Sequence, residues 1–154
     1  MLEEKRRGGM RFVILDILRD EELHGYGIAE KIEKIYGIEK PSSGLIYPIL
    51  SKLKDEKLVE VCRRGDRDKK IYHITEKGLR YLEEHREELN DVKSILHNLG
   101  EFHRLGGHEL MDTMHYLLKQ MDEMSDEKKR RISEAIKEFT KKLRFIIDFS
   151  DINE

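Results

Sequence analysis

The apolar residues of this chain repeat with a helical period, switch to the alternation of a strand, and then return to a helical period. A first helix is predicted over about residues 9–20, where one apolar face contains Met10, Val13, Ile14, Ile17 and Leu18. A second, shorter helix is predicted to carry Ile28, Ile32 and Ile35 and to end at Gly37, a residue type that favours helix ends.

A third helix is predicted to start near Ser42, whose hydroxyl can accept hydrogen bonds from the backbone amides of a first helical turn. Pro48 lies about one turn inside this helix and must bend it or remove one hydrogen bond. The buried stripe is expected to consist of Ile46, Ile49, Leu50 and Leu53. The opposite face carries small and polar residues that can approach DNA and hydrogen-bond to it: Gly44, Tyr47, Pro48, Ser51, Lys52 and Asp55. Because that face lacks Arg, Asn and Gln, a reader of this kind would depend on backbone contacts and DNA shape.

Two short strands are predicted next, over residues 58–62 and 71–74, with a charged turn between them. The turn, residues 63–70, holds five basic and two acidic residues, and Gly65-Asp66 marks its tip. Thr75 is suited to cap the helix that follows. Three helices, a strand, a basic turn and a second strand form the order of a winged helix-turn-helix, in which the turn is the wing. A small α+β domain with an idle hairpin is the alternative that this pattern leaves open.

The second half of the chain is predicted to be helical, with breaks at Gly100, Gly106 and Gly107. Its apolar residues form seams of about 3.5-residue period, which are typical of helix-on-helix packing within one chain or between subunits. Because a DNA reader of this size usually needs two copies to cover its site, we expect a homodimer. The expected interface residues are Leu82, Leu89, Val92, Leu96, Ile136, Phe139, Leu143 and Ile146.

The predicted fold is therefore mainly α with a small β-wing, in two parts. Residues 1–75 are expected to form a winged helix-turn-helix DNA-binding domain, and residues 76–154 a helical dimerisation region. Residues 1–82 carry a net charge of +3, whereas residues 83–154 carry −5, so the front part is the better partner for an anion such as DNA.

Composition excludes several other classes of protein. Charged residues make up 40% of the chain and hydrophobic residues 38%, which is too apolar for a disordered chain and too charged for a membrane protein. The charged N-terminus lacks the apolar segment of a secretory signal, so we expect a cytoplasmic protein. The sequence has no nucleophile elbow, phosphate-binding loop or paired catalytic carboxylates, and we predict neither enzymatic activity nor a cofactor.

Metal binding is not predicted either. His97, His103, His108 and His115 suggest a metal site, and His97, His108 and His115 would share one face of an unbroken helix, but glycines between them interrupt that helix. Cys62 is the only cysteine, which excludes an internal disulfide. It has no near partner in the sequence and is interpreted as a packed thiol.

Four segments of the chain resemble the PadR-type transcriptional regulators in their order and spacing. They are His24-Gly25-Tyr26-Gly27, Ser42 to Leu50, Leu53 to Val59 and Tyr72 to Gly78, and the resemblance covers about residues 9–98. It implies a winged-helix repressor that forms dimers through C-terminal helices and acts on promoter DNA. It also implies DNA contacts for Ser42, Gly44, Tyr47, Pro48, Lys69 and Lys70. Ser43 departs from the proline that is commoner in that family.

The expected DNA-binding surface combines the third helix, the wing and two nearby residues. Its members are Tyr26, Lys40, Ser42, Ser43, Gly44, Tyr47, Pro48, Ser51, Lys52, Arg64, Arg67, Lys69 and Lys70. Arg64 or Arg67 is expected to enter a minor groove. Two alternatives stay open: a winged-helix module that binds proteins, and a regulator gated by a small hydrophobic ligand or a metal ion. Family members that bind flat effectors use tryptophan, which this chain lacks; Met111, Met114, Met121 and Met124 could instead line an adaptable pocket, although methionines at this spacing more often belong to a core.

Overall fold

The computed structural model describes residues 2–64 and 69–149. The chain divides into two compact units, Met1–His108 and Glu109–Glu154. The described residues of the first unit form, in chain order, α1 (Leu2–Asp20), α2 (Gly25–Tyr36), α3 (Ser43–Asp55), β1 (Val59–Arg64), β2 (Lys70–Ile74), α4 (Glu76–Glu84) and α5 (Arg86–Phe102). This order confirms the predicted winged helix-turn-helix.

Helix α1 is longer than predicted and supplies much of the core of the first unit. It begins at Leu2 rather than near residue 9, and Val13, Ile14 and Leu15 are completely buried. It packs against α3, α4 and α5. A glycine allows the close approach to α5, because a Cβ atom at Gly9 would lie only 2.7 Å from the Cβ atom of Val92.

Helix α2 ends where the sequence predicts. Gly37 adopts the left-handed conformation, with φ 66° and ψ 26°, and its amide donates to the carbonyl of Glu33 at 2.9 Å. Ile35 is exposed, however, and Tyr36 takes the buried position at the end of the helix. The apolar stripe is therefore displaced by one residue from the predicted one in this last turn.

The first four predicted dimer residues belong to the core of the first unit. Leu82, Leu89, Val92 and Leu96 are only 0–6% exposed in the single chain and share one apolar cluster with the residues of α1. Side chains without free surface have almost no area left to bury against a second subunit. The prediction that these four form the dimer interface is therefore wrong, although the apolar seam itself exists.

The helical second half breaks at one predicted place and at one that was not predicted. His85, with φ −113° and ψ 34°, separates α4 from α5. Gly100 lies inside α5, where a Cβ atom would come within 1.8 Å of the Tyr36 carbonyl oxygen, so this glycine permits contact with α2. A π-helical turn, His103–Gly107, follows α5 and contains Gly106 with φ 91°. The predicted break is thus confirmed at Gly106 and wrong at Gly100.

The wing is an antiparallel pair of strands, β1 and β2. An isolated β-bridge adds one further residue pair next to β2. Val59 pairs with Ile74, and both strands reach further toward the turn than predicted. A bulge interrupts the register between Val61 and Arg63. Leu23, in the connection between α1 and α2, exchanges two backbone hydrogen bonds with Tyr72, at 3.2 and 2.9 Å. The wing is therefore hydrogen-bonded to the segment that joins the first two helices.

The second unit is formed by α6 (His108–Gln120), a 3₁₀ turn (Met121–Glu123) and α7 (Asp126–Phe149). Within the described residues, neither α6 nor α7 contains a buried side chain. Apolar residues such as Met114, Phe139 and Leu143 are exposed instead. In the part of the chain that the structure covers, no helix combines the length and the apolar character needed to cross a bilayer.

Candidate nucleic-acid interface

Helix α3 exposes the polar face that its sequence predicts. Gly44, Tyr47, Pro48, Ser51 and Lys52 are all exposed, and Asp55 lies exposed near the end of the helix. The opposite stripe is buried as predicted at Ile46, Leu50 and Leu53, whereas Ile49 is partly buried. The predicted helical phase is therefore confirmed.

The start of α3 differs from the prediction in one detail. Ser42 occupies the N-cap position, and its carbonyl accepts hydrogen bonds from the amides of Leu45 and Ile46 at 3.0 and 3.1 Å. Its hydroxyl makes no capping hydrogen bond, and its side chain is exposed. The predicted capping role of the Ser42 side chain is therefore wrong. Ser43, the first residue of the helix, is also exposed.

The segment His24-Gly25-Tyr26-Gly27 supports the exposed face of α3. His24 Nδ1 accepts a hydrogen bond from the amide of Gly27 at 2.9 Å and so caps α2. Gly25 makes room for an aromatic ring, since a Cβ atom there would lie 2.8 Å from Cε1 and Cζ of Tyr47. The sequence signalled this segment by resemblance but did not reveal what Gly25 does.

Tyr26 and Lys40 form a pair next to this segment. Lys40 Nζ donates to the Tyr26 hydroxyl at 2.9 Å and lies 4.4 Å from the centroid of its ring. This hydrogen bond raises the pKa of Lys40 above its ordinary value. Tyr26 itself is half exposed. The structure therefore brings together two residues that the sequence assigned to DNA separately.

The C-terminal end of α3 is held to the wing by backbone contacts. Lys57 has a positive φ of 62°, and the amides of Lys57 and Leu58 donate to the carbonyls of Lys54 and Leu53, both at 2.9 Å. These bonds form a Schellman motif, in which glycine is the usual residue at the left-handed position. Strand β1 follows immediately at Val59, so the end of α3 leads directly into the wing.

Helix α4 begins against the same junction. Thr75 caps α4 as predicted, because its hydroxyl accepts from the amide of Gly78 at 3.0 Å. The Thr75 hydroxyl also donates to the carbonyl of Lys57 at 2.8 Å. Gly78 cannot carry a side chain here, since a Cβ atom would lie 2.1 Å from the carbonyl oxygen of Leu58. These contacts fix the orientation of α3 relative to β1 and α4.

The described part of the wing places its lysines at the surface. Lys69 and Lys70 are exposed, and Lys70 pairs with Arg64 across the strands. Arg67 and the Gly65-Asp66 turn lie outside the described residues, and the side chain of Arg64 is not described either. Burial and, to a smaller extent, the nearby Tyr47 of α3 raise the pKa of Tyr72 in β2.

Potential metal ligands cluster at a place that the sequence did not indicate. Among the described residues, the one group of three His, Cys, Asp or Glu side chains close enough to share an ion is Glu22, Cys62 and His73. Cys62 therefore has near partners in space, and the interpretation of an isolated packed thiol is wrong. The histidines of the second half do not form such a group: His97 packs on Tyr36, with ring centroids 5.0 Å apart.

Comparison with known proteins identifies relatives of the first unit. The sequence profile of the PadR-like transcriptional regulator family matches residues 14–84. A PadR-like transcriptional regulator from Bacillus cereus is 37% identical, with 60% of this chain and 91% of that chain covered and a TM-score of 0.48. A transcriptional regulator from Clostridium thermocellum is 22% identical over 60% of this chain and 90% of its own, with a TM-score of 0.50, and shares the fold.

A curated relative from Escherichia coli, the transcriptional regulator YqjI, is 39% identical over 87 residues. The alignment covers 56% of this chain and 42% of that relative, so the two proteins share less than half of the length of YqjI.

Proposed function

Because this chain belongs to the PadR-like family of transcriptional regulators, we propose that it binds operator DNA sequence-specifically as a homodimer and represses transcription. The observation that carries this proposal is the exposed polar face of α3, which leads through a hydrogen-bonded junction into a wing with surface lysines. A repressor acts where the chromosome is, and the protein is therefore proposed to be cytoplasmic.

Helix α3 is the recognition helix of this proposal. Tyr47 and Ser51 hydrogen-bond to base edges or phosphates in the major groove, and Lys52 pairs with a phosphate. The exposed first turn, Ser42 to Gly44, directs backbone amides toward a phosphate, an arrangement favoured by the positive end of the helix dipole. Pro48 packs against the sugar-phosphate backbone. Because the face has no bidentate base reader, sequence preference arises largely from DNA shape.

The wing and the Tyr26–Lys40 pair supply further contacts. Lys69 and Lys70 neutralise phosphates beside the groove, and Arg64 or Arg67 enters the minor groove. Lys40 is held by the Tyr26 hydroxyl and keeps its charge, which suits it to a phosphate rather than a base. Tyr26 supplies a second hydrogen-bond donor at the same phosphate.

The homodimer is supported by the second unit. Helices α6 and α7 bury no described side chain, and a helix pair with an apolar seam needs a partner to cover it. Ile136, Phe139, Leu143 and Ile146 repeat at spacings of four and three along α7 and are 40–52% exposed. We propose that these residues meet their counterparts in a second copy. The exposed methionines of α6 are available for a small hydrophobic effector at the same interface.

The decisive experiment is binding of the full chain to the DNA upstream of its own gene. Fluorescence anisotropy at fixed salt should give an affinity about a thousandfold or more above that for a shuffled duplex of equal length. Sequencing of the genomic fragments that the protein retains extends the search to other operators. Equal affinity for specific and shuffled DNA in both assays would overturn the proposal and favour a protein-interaction module.

A further inference from the structure

We propose that Glu22, Cys62 and His73 form a binding site for a thiophilic divalent transition-metal ion such as Zn²⁺, with Glu60 as an outer-sphere carboxylate. One donor atom from each of the three residues lies within 4.8 Å of the other two. The cluster lies at the root of the wing and shares no residue with the proposed DNA contacts. It therefore goes beyond the proposed function and does not depend on it.

The sheet brings these residues together across three backbone segments. Glu60 pairs with His73 in the β1–β2 register, and the antiparallel bridge between Leu23 and Tyr72 sets Glu22 beside His73 on the other side. Side chains alternate along a strand, so this row lies on the opposite face from the buried Tyr72. The bulge between Val61 and Arg63 displaces Cys62, and such bulges re-aim side chains. No single stretch of sequence contains the site.

His73 has the hydrogen-bonding pattern of a metal ligand. Its Nε2 lies 2.9 Å from Glu60 Oε1, and because a carboxylate can only accept, Nε2 is the donor in this hydrogen bond. The other ring nitrogen, Nδ1, is buried and has no hydrogen-bond partner within the described residues, so it is the nitrogen that would bind the ion. Metal-binding histidines commonly donate their second ring nitrogen to a carboxylate in this way, which fixes the tautomer and the orientation of the ring.

The donor set determines the class of ion. A thiolate, an imidazole and a carboxylate suit Zn²⁺ and its neighbours in the first transition series, whereas Mg²⁺ and Ca²⁺ prefer oxygen donors alone. Tetrahedral Zn²⁺ would hold these donors about 3.5 Å apart, so small side-chain movements suffice to close the cluster. On binding, the Cys62 thiol, which now donates to the Ile71 carbonyl at 3.4 Å, releases its proton to solvent. Water completes the fourth position.

An ion at this site would join the α1–α2 connection to both strands of the wing. Each of the three ligands comes from a different segment: Glu22 precedes α2, Cys62 lies in β1 and His73 in β2. A ligand that binds only the folded state stabilises that state. The melting temperature of the chelator-treated protein should therefore rise when Zn²⁺ is added, and the Cys62→Ser variant should lack this rise.

Titration of the chelator-treated full chain with Co²⁺ provides the direct test. Because Cys62 is the only cysteine, any near-ultraviolet charge-transfer band between sulfur and Co²⁺ reports on this residue alone. We expect the band to saturate at one Co²⁺ per chain and to disappear on addition of Zn²⁺. Absence of the band, or saturation at one Co²⁺ per two chains with both thiols bound, would overturn the proposal.

Variants identify the other ligands. Glu22→Gln and His73→Gln should each weaken Co²⁺ binding by at least tenfold, and Glu60→Gln by about 10–100-fold as an outer-sphere change. The matched control is His97→Gln, a histidine far along the chain that should leave the titration unchanged. If both Glu22→Gln and His73→Gln leave the Co²⁺ titration unchanged, the assignment of these residues as metal ligands is wrong. If a variant fails to fold, the test uses the wild-type protein instead and measures the rate at which Cys62 reacts with a thiol reagent. Zn²⁺ should slow this reaction at least tenfold, and an unchanged rate would overturn the proposal.

Discussion

Gly25 lets the start of α2 approach the proposed recognition helix α3 closely, because glycine has no side chain. The ring of Tyr47 occupies the space where a Cβ atom of residue 25 would stand, while nearly half of the tyrosine side chain stays exposed. Gly78 has the same relation to the Leu58 carbonyl at the start of α4. At the scale of single residues, the orientation of the proposed DNA-binding face therefore depends on two positions where only hydrogen fits.

Gly25→Ala should weaken operator binding without unfolding the protein. The added methyl group displaces the Tyr47 ring, whereas alanine gains up to about 1 kcal/mol of helix propensity that offsets the lost packing. We expect about tenfold weaker DNA binding in anisotropy and a melting temperature within a few degrees of wild type. Gly8→Ala is the control, because nothing lies within 4 Å of a Cβ atom there. Full DNA affinity in Gly25→Ala would show that the position of the Tyr47 ring does not matter for DNA binding.

Tyr36 should make the folded state sensitive to alkaline pH. Burial, with a contribution from the charge of Asp16, raises the pKa of Tyr36 to about 12, whereas a tyrosine of the unfolded chain ionises near 10. Above pH 10 the unfolded chain loses this proton before the folded chain does, so the stabilisation present below pH 10 is lost as pH rises toward 12. Tyr36→Phe should therefore flatten the fall in melting temperature over that window. The exposed Tyr116→Phe should retain the wild-type fall, and equal slopes in all three proteins would contradict the assignment.

Helix α3, strand β1 and helix α4 behave as one structural piece at the scale of elements. The Schellman motif at Lys57 ends α3, the Thr75 hydroxyl bonds to the carbonyl of the same residue, and Lys77 Nζ donates to the Glu56 carbonyl at 2.9 Å. Arg11 of α1 pairs with the Glu56 side chain. The base of the wing is thus held against the end of α3, and this preorganisation would lower the ordering cost of the DNA binding that we propose.

The double variant Lys69→Ala/Lys70→Ala tests whether the wing contacts phosphates. Both lysines are exposed, so the melting temperature should hardly change. Each lost phosphate contact should reduce the slope of log affinity against log salt by about 0.9, and a dimer presents two wings. The expected result is weaker binding with a shallower salt dependence.

Lys128→Ala/Lys129→Ala is the matched control for the wing variant. This adjacent pair is exposed at the start of α7 and carries the same charge change. It should keep the wild-type salt slope. If the wing variant also keeps the full DNA affinity and the full salt slope, the wing is a solvated turn that does not contact phosphates.

The two units of the molecule differ in how they bury apolar surface. The first unit has a continuous core in which α1, α2, α3, the wing, α4 and α5 all take part. The described helices of the second unit contain no buried side chain, although their apolar residues follow the repeat of packed helices. At the scale of the whole molecule, the first unit has its own apolar core, whereas the second unit exposes apolar surface that a partner would cover.

Leu143→Asp should convert the proposed dimer to a monomer. A buried leucine contributes about 1.5–3 kcal/mol, and a two-fold interface contains each residue twice, so a charge at this position destabilises both halves. Light scattering at micromolar concentration should give the dimer mass for wild type and the monomer mass for the variant. Lys142→Asp, on the neighbouring exposed position, should stay dimeric. A monomeric wild type or a dimeric Leu143→Asp would refute this interface.

The local patterns of the sequence were sufficient for the order of elements and for the phase of α3. Helical period, strand alternation and capping residues act between neighbours in the chain, so Thr75, Gly37 and the buried stripe of Ile46, Leu50 and Leu53 could be read directly. The charge of the wing was equally visible in the sequence. The likeness of four short segments to one family was enough to indicate the fold.

Only the tertiary structure decided what each apolar or reactive side chain faces. A heptad seam predicts that one side of a helix will be covered, but it does not identify the element that covers it. Helix α1 covers the seam that contains Leu89 and Leu96, whereas the seam of α7 stays exposed. Likewise, Gly100 resembles a helix break in sequence and is a helix-helix contact in space. Cys62 gains Glu22 and His73 as neighbours because strand pairing joins residues that are distant along the chain. Periodicity belongs to consecutive residues, whereas contacts depend on chain segments that meet only after folding.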